Sequence, residues 1–166
     1  KTGTWQRGKI MENTMLSMTE IKPFGINYIE DVSEIHFQVF DGWSMKSLIS
    51  DIANSATKSY VAVCSGRALA FVSYLMTDDA EMLFVCTHPA YRHSGLATKL
   101  IKETIAAMPD EIHRVVLEVR SKNREAISLY KKLGFVELGV RRDFYTTPND
   151  DAIVMELNFR GAKELD

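Results

Sequence analysis

Residues 83–102 read LFVCTHPAYRHSGLATKLIK, and the rest of the chain is organised around them. An apolar run, Leu83 to Cys86, stops at His88-Pro89, a short basic loop follows, and a helical pattern begins near Gly95. This order predicts an anion site, because the first N–H groups of a helix lack internal partners and its dipole favours negative charge there. The same residues also fit an ordinary strand-to-helix turn with a surface arginine, Arg92, so the loop alone leaves both interpretations open.

The bulk composition indicates one ordinary globular domain. The chain has 166 residues, of which 46% are apolar and 25% charged, enough for a single hydrophobic core. A formal net charge of −2 argues against a general nucleic-acid binder, which is usually clearly basic. The four histidines lack metal-ligand spacing, so no metal site is expected. Cys64 and Cys86 lie inside apolar runs, which indicates buried free thiols and a reducing compartment.

No segment has the character of a membrane anchor or a signal peptide. The longest apolar stretch, around Ala68 to Met76, is far too short to cross a bilayer. The first residues lack a basic n-region followed by an apolar h-region. The sequence therefore predicts a cytoplasmic domain over residues 18–160, preceded by a loose extension at 1–17 and followed by a tail at 161–166.

Hydrophobic periodicity predicts an α/β domain with the order β-α-α-β-β-β-α-β-α-β-β. Helices are expected from Asn27, from a cap at Ser44, from Gly95 to Met108, and from a cap at Asn123 to a left-handed stop at Gly134. Strands are expected at residues 20–22, 59–64, 68–76, 82–87, 113–120, 135–140 and 152–159. The result is a mixed, mostly antiparallel sheet of about seven strands and about four helices, with a long polar loop at 141–151.

Three features together resemble the GNAT superfamily of acetyl-CoA-dependent N-acetyltransferases. They are the loop RHSGLA at residues 92–97, the element order, and the segment LEVRSKNREAISLYKKLGF at residues 117–135. The loop is similar to the Gln/Arg-x-x-Gly-x-Gly/Ala pyrophosphate motif of that superfamily. The later segment, with GVRRDFYTTPNDDAIVMEL at 139–157 and FDGWS at 40–44, most resembles the RimI-type ribosomal-protein alanine N-acetyltransferases. The resemblance covers residues 18–159 and implies the GNAT fold.

The resemblance implies that acetyl-CoA is the cosubstrate. The edge of β-strand residues 85–87 would hydrogen-bond the pantetheine amides like an added strand, and the N–H groups of residues 93–98 would cradle the pyrophosphate. Asn123 would contact the pantetheine, a role compatible with its predicted helix cap. The implied cofactor-binding set is Val85, Cys86, Thr87, Arg92, His93, Ser94, Gly95, Leu96, Ala97, Thr98 and Asn123.

Transfer of an acetyl group to an amine needs a group that deprotonates the amine and one that protonates the departing thiolate. On pattern alone, Glu118 would face outward on a half-exposed strand and Tyr130 would be a core tyrosine on its helix. The resemblance instead implies that Glu118 is the general base, directly or through water, and that Tyr130 is the general acid. A covalent intermediate on Cys86 is disfavoured, because no histidine is recognisably paired with it.

The acceptor is expected to be the N-terminal α-amine of a protein. An α-amine has a pKa near 8 against about 10.4 for lysine, so its neutral form is more accessible at pH 7. The resemblance implies that Trp43 and Tyr145 line a peptide cleft, although both also fit plain packed or loop aromatics. A ribosomal protein beginning with alanine is the expected partner, with no direct nucleic-acid or membrane contact and a monomeric or dimeric enzyme.

Two other functions stay open at this point. The same fold can acetylate a small-molecule amine, such as a polyamine or aminoglycoside, or a lysine side chain. A domain that only binds acetyl-CoA, as a sensor or scaffold, is the non-enzymatic alternative. The presence of both Glu118 and Tyr130 argues against that last function.

Overall fold

The computed structural model describes residues 11–39, 49–50 and 52–160. Its strands are β1 (Glu20–Pro23), β2 (Thr57–Cys64), β3 (Arg67–Met76), β4 (Ala80–Thr87), β5 (Arg114–Arg120), β6 (Val136–Thr146) and β7 (Asn149–Asn158). Its helices are α1 (residues 11–18), α2 (Ile29–Val39), α3 (residues 49–50 and 52–53), α4 (Leu96–Ala106) and α5 (Arg124–Lys132), with 3₁₀ turns at Ile26–Tyr28 and Pro89–Tyr91. The predicted order of strands and helices from β1 to β7 is confirmed.

The strands form one seven-stranded sheet in the order β1-β2-β3-β4-β5-β7-β6. β1 pairs antiparallel with β2, and β7 pairs antiparallel with both β5 and β6. β4 and β5 pair in parallel, and their register runs only from Ala80–Val115 to Met82–Leu117. The predicted mixed sheet is confirmed. Val85–Thr87 lie beyond the last pair of this parallel register.

The chain divides into two compact units, and β3 and β4 contribute residues to both. The first comprises the described residues up to Ser73 together with Phe84–Ala107. Its core joins buried side chains of α2 and strands β2, β3 and β4, with Phe24, Tyr28, Ile52 and Phe84 packed against them. The buried members are Val32, Ile35, Val61, Val63, Ala68, Phe71 and Cys86. Fully burying one such aliphatic side chain contributes about 1.5–3 kcal/mol.

The second unit comprises Tyr74–Leu83 and the described residues from Met108 onward. Alternate residues of β5, namely Val115, Leu117 and Val119, are buried, as the predicted period of two requires. Their partners on β7 include the fully buried Met155. This alternation turns Glu118 to the opposite face of β5, where the candidate site begins.

Two segments differ from the sequence-based expectation. Residues 141–151, predicted as a long polar loop, instead extend the hairpin, because β6 continues to Thr146 and β7 begins at Asn149. Residues 11–17 were predicted to be loose, but residues 11–18 are helical, and Leu16 lies beside Gly95 at the start of α4. The predicted second helix falls largely outside the described residues, which include only 49–50 and 52–53 of it.

Within the described ranges, no helix combines the length and apolar character needed to span a bilayer.

Candidate active site

The loop between β4 and α4 is fixed at its first residue. The N–H of His88 donates to the carbonyl of Leu69 on β3 at 2.8 Å, which ties the end of β4 to its neighbour. The ring nitrogen Nδ1 of His88 accepts from the N–H of Ala90 at 3.1 Å and caps the 3₁₀ turn that follows. These two hydrogen bonds mark the change from strand to turn at His88 and Pro89, where the sequence predicted that β4 ends.

The start of α4 carries donors that its own residues do not satisfy. Gly95, the N-cap, has φ +86° and no side-chain cap, and His93 also lies in the left-handed region at φ +59°. Ser94 Oγ donates backwards to the carbonyl of Tyr91 rather than capping the helix. The N–H groups of residues 96–98, which have no acceptor within their helix, are therefore available to an anion.

The charged side chains of this loop differ in their partners. Lys99 pairs with Glu103 one turn along the helix at 3.2 Å, whereas Arg92 is exposed. Arg92 stands close enough to act electrostatically on the Cys86 thiol. The predicted cofactor-binding residues of the first unit are Val85, Cys86 and Thr87 on β4 and residues 92–98 of the loop and the start of α4.

Cys86 is buried, and its thiol is a weak nucleophile at neutral pH. Burial raises the pKa of its thiol to about 12, and the opposing charge of Arg92 offsets only part of that rise. At neutral pH the thiolate, which is the nucleophilic form, is therefore scarce. This agrees with the expectation that Cys86 forms no covalent intermediate.

Glu118 and two arginines share one face of the second unit. Glu118 on β5 lies opposite Val154 on β7. Ala152 on β7 lies between Arg120 on β5 and Arg141 on β6. The side chain of Glu118 is only 22% exposed, and its Oε1 accepts a hydrogen bond from Nη1 of Arg141. Glu118 is thus a mostly covered, ion-paired carboxylate rather than a freely solvated one.

Tyr130 is held inside the second unit by α5. Asn123 caps that helix by accepting from the N–H of Ala126 at 3.1 Å, and Gly134 ends it at φ +98°, so both predicted helix signals are confirmed. Tyr130 is 6% exposed, and its ring centroid lies 5.7 Å from that of Phe135. Burial raises the pKa of the Tyr130 phenol, with a smaller contribution from Tyr145, and keeps it protonated.

Tyr145 links the two groups electrostatically. Its pKa is raised first by burial and then by the negative charge of Glu118, while Arg120 acts in the opposite direction. The guanidinium of Arg120 lies 4.1 Å from the centre of the Tyr145 ring. Glu118 and Tyr130 therefore both interact with Tyr145. Trp43, the other predicted acceptor residue, lies outside the described residues.

The extended hairpin adds residues that the sequence interpretation missed. Arg120 donates to the carbonyls of Pro148 at 2.8 Å and Thr147 at 3.1 Å, which fixes the hairpin turn beside β5. Asp150 accepts from Ser121 Oγ at 2.6 Å. Pro148 and Asn149 are residue types that favour turns and could have located this hairpin.

Among the described residues, no group of three or more His, Cys, Asp or Glu side chains could hold a metal ion.

Comparison with known proteins gives three consistent likenesses. Residues 27–135 match the acetyltransferase (GNAT) family. The [ribosomal protein bS18]-alanine N-acetyltransferase of Escherichia coli K12 is 31% identical over 119 residues, which cover 69% of this chain and 80% of that protein. The N-alpha-acetyltransferase RimI of Mycobacterium tuberculosis is 30% identical over 132 residues, covering 74% and 82%.

The fold agrees with the sequence comparison. The crystal structure of the E. coli ribosomal-protein-S18-alanine N-acetyltransferase superposes with a TM-score of 0.80 at 28% identity, covering 90% of this chain and 99% of that one. The similarity thus extends well beyond the candidate pyrophosphate-binding loop at residues 92–97 and covers most of both chains.

Proposed function

The chain belongs to the acetyltransferase (GNAT) family, and we propose that it moves the acetyl group of acetyl-CoA to the N-terminal α-amine of a ribosomal protein. The family makes the chain an acyltransferase, and its relatives act on an N-terminal alanine by name. The observation that carries the proposal is the covered carboxylate of Glu118, which shares the neighbourhood of Tyr145 with the protonated Tyr130.

The loop before α4 suits the diphosphate of the donor. Gly95 adds no side chain at the helix end, and Ser94 is turned away from it. The N–H groups of residues 93–98 and the exposed Arg92 would hold the pyrophosphate. Residues 85–87, beyond the β4–β5 register, would offer backbone groups to the pantetheine, and Asn123 would contact it. When bound, acetyl-CoA supplies the acetyl group as a thioester.

Glu118 is the general base in this proposal. A carboxylate oxygen accepts the proton of the attacking amine, directly or through one water molecule, and such catalysis typically contributes about 10²–10⁴-fold to the rate. An α-amine needs less help than lysine, because its pKa is near 8 rather than about 10.4. One carboxylate is therefore sufficient for an N-terminal acceptor.

Tyr130 is the general acid. Its phenol is protonated at neutral pH, since the ordinary pKa of tyrosine is about 10 and burial raises it further, so the hydroxyl can donate to the sulfur that leaves the acetyl group. A buried donor also acts in a low-dielectric environment, where a hydrogen bond to developing charge is stronger than in water. Tyr145 and Trp43 would contact the acceptor peptide.

The test compares acetylation of two peptides that begin with alanine, contain one lysine and differ only in a free or blocked α-amine. We expect acetylation of the free peptide alone, located by mass spectrometry at its first residue. Glu118→Gln should lower kcat by about 10²–10⁴-fold and leave acetyl-CoA binding, measured by calorimetry, within about twofold of the wild type.

Other outcomes would replace the proposal. Acetylation of lysine or of a polyamine instead of the α-amine would assign a different acceptor to the same fold. Acetyl-CoA binding without transfer to any of these amines would indicate a sensor or scaffold.

A further inference from the structure

We propose that Arg141 is a positioning residue that orients Glu118 for proton abstraction. This inference rests on the proposed function, since it assumes that Glu118 is the base. It starts from the ion pair between Nη1 of Arg141 on β6 and Oε1 of Glu118 on β5. These two residues are 23 positions apart in the sequence.

A register shift between Glu137 and Gly139 brings Arg141 opposite Ala152, and a second irregularity in β6 follows Arg141 directly. Arg141 pairs with Ala152 and Tyr145 with Asp150, so the four steps along β6 match two steps along β7. Such a bulge bends its strand and redirects side chains. Asp143, at φ +50°, donates its N–H to Asp151 Oδ1 at 2.9 Å. This hydrogen bond connects the bulge in β6 to the neighbouring strand β7.

The guanidinium of Arg141 is itself oriented by an aromatic ring. It lies 4.3 Å from the centre of the Phe144 ring, a residue of the same bulge. A planar guanidinium can stack on a ring and at the same time direct an N–H at a carboxylate, in a fixed fork geometry that an ammonium group lacks. Phe144 thus restricts Arg141, and Arg141 restricts Glu118.

In this arrangement the two carboxylate oxygens of Glu118 have different roles. Arg141 holds Oε1, so Oε2 is the oxygen that receives the amine proton. A carboxylate without this partner would rotate about its side-chain bonds and spend less time in the productive orientation, and misplacement of a reacting group by about 1 Å can cost about 10²-fold in rate. Loss of Arg141 should therefore reduce kcat and leave donor binding unchanged.

The neighbouring Arg142 provides a matched control. It is also an exposed arginine in an ion pair, but its partner is Asp151 at 2.7 Å and not Glu118. The N–H of Asp143 continues to hold Asp151 when the Arg142 side chain is removed. Arg142→Ala therefore reproduces the loss of a surface arginine from the same hairpin.

The experiment measures kcat and the KM for acetyl-CoA with the free α-amine peptide. We expect Arg141→Ala to lower kcat about 10–100-fold, Arg141→Lys to recover part of the loss, and Arg142→Ala to stay within about twofold of the wild type. Phe144→Leu, which keeps the ion pair but removes the ring, should give an intermediate kcat. The KM for acetyl-CoA should not change in any of them.

A double mutant separates positioning from other roles. If Arg141 acts through Glu118, adding Arg141→Ala to Glu118→Gln should lower kcat by less than about threefold further. The same full loss in both backgrounds, or an unchanged kcat in Arg141→Ala, would overturn the inference. Inactivity of the wild type toward α-amines would instead reject the proposed function, and thermal melting identifies any variant that fails to fold.

Discussion

The ring of Tyr130 on α5 packs against the ring of Phe135 with centroids 5.7 Å apart and planes tilted by 57°. This contact holds the phenol independently of its hydroxyl. Tyr130→Phe should therefore keep the melting temperature within a few degrees while lowering kcat by about 10²-fold through loss of the proposed general acid. Steady-state kinetics and calorimetric melting on the same preparations check this. An unchanged kcat would remove Tyr130 from the mechanism.

Gly95→Ala should weaken acetyl-CoA binding. An alanine at φ +86° costs roughly 1–2 kcal/mol, and its Cβ would meet Cδ1 of Leu16 at 3.2 Å. Relief of this strain would move the N–H groups that are proposed to hold the diphosphate, so we expect the Kd measured by calorimetry to rise about tenfold or more.

Gly66→Ala is the matched control for that variant. Gly66 also has a positive φ, +78°, but a Cβ there meets nothing within 4 Å, and it lies in the β2–β3 turn. It should lose comparable stability in denaturant melts and bind acetyl-CoA like the wild type. Equal affinity losses in both variants would attribute the effect at Gly95 to general destabilisation.

The two cysteines should differ in their reaction with iodoacetamide. The raised pKa of the Cys86 thiol, about 12, leaves very little thiolate at pH 8, whereas Cys64 is only half-buried. Native protein should be alkylated at Cys64 alone and at both sites in urea, as peptide mapping would report. Cys86→Ala should retain turnover despite some loss of stability; complete loss in a folded variant would restore the nucleophile hypothesis.

Asp150 should make stability depend on acid pH. Its pKa is held below the ordinary aspartate value of 3.8, first by the hydrogen bond from Ser121 and then by the N–H of Lys122. Because the folded pKa is the lower one, this stabilisation is complete above pH 3.8 and is lost as the pH falls through the folded value.

The corresponding measurement is the melting temperature between pH 2 and pH 6. Below pH 4 it should fall less steeply in Asp150→Asn than in the wild type. Ser121→Ala should show the same change more weakly, since the Lys122 N–H still faces the carboxylate. Identical slopes in all three proteins would assign acid sensitivity to other groups, among them Asp151, whose pKa is also lowered.

The sequence predicted those parts of the fold whose signals are local. The cap at Asn123, the stop at Gly134 and the alternation of β5 each depend on a few neighbouring residues, and all three are confirmed. The family resemblance identified Glu118 and Tyr130 as candidates, whereas their burial and partners depend on contacts between strands distant in sequence.

The hairpin shows why the remainder could not be predicted. The run RRDFYTT at 141–147 lacks regular alternation, because the bulge inserts extra residues into β6 and interrupts the period of two. Charged and aromatic residues without periodicity resemble a loop. The Glu118–Arg141 ion pair consequently could not be predicted from the sequence, since it depends on a strand register that only the folded sheet defines.

The bulge in β6 also sets a rule for how the length of this hairpin can change. Side chains of a strand alternate between faces, so deleting one residue from 142–144 would exchange the faces of all residues on one side of the deletion. Deleting two would restore a regular ladder and keep Arg141 and Tyr145 on a common face, since two extra residues separate them from their partners on β7. Insertions and deletions between Arg141 and Tyr145 should thus be tolerated in even numbers, which gives protein engineers a parity rule for reshaping this end of the hairpin.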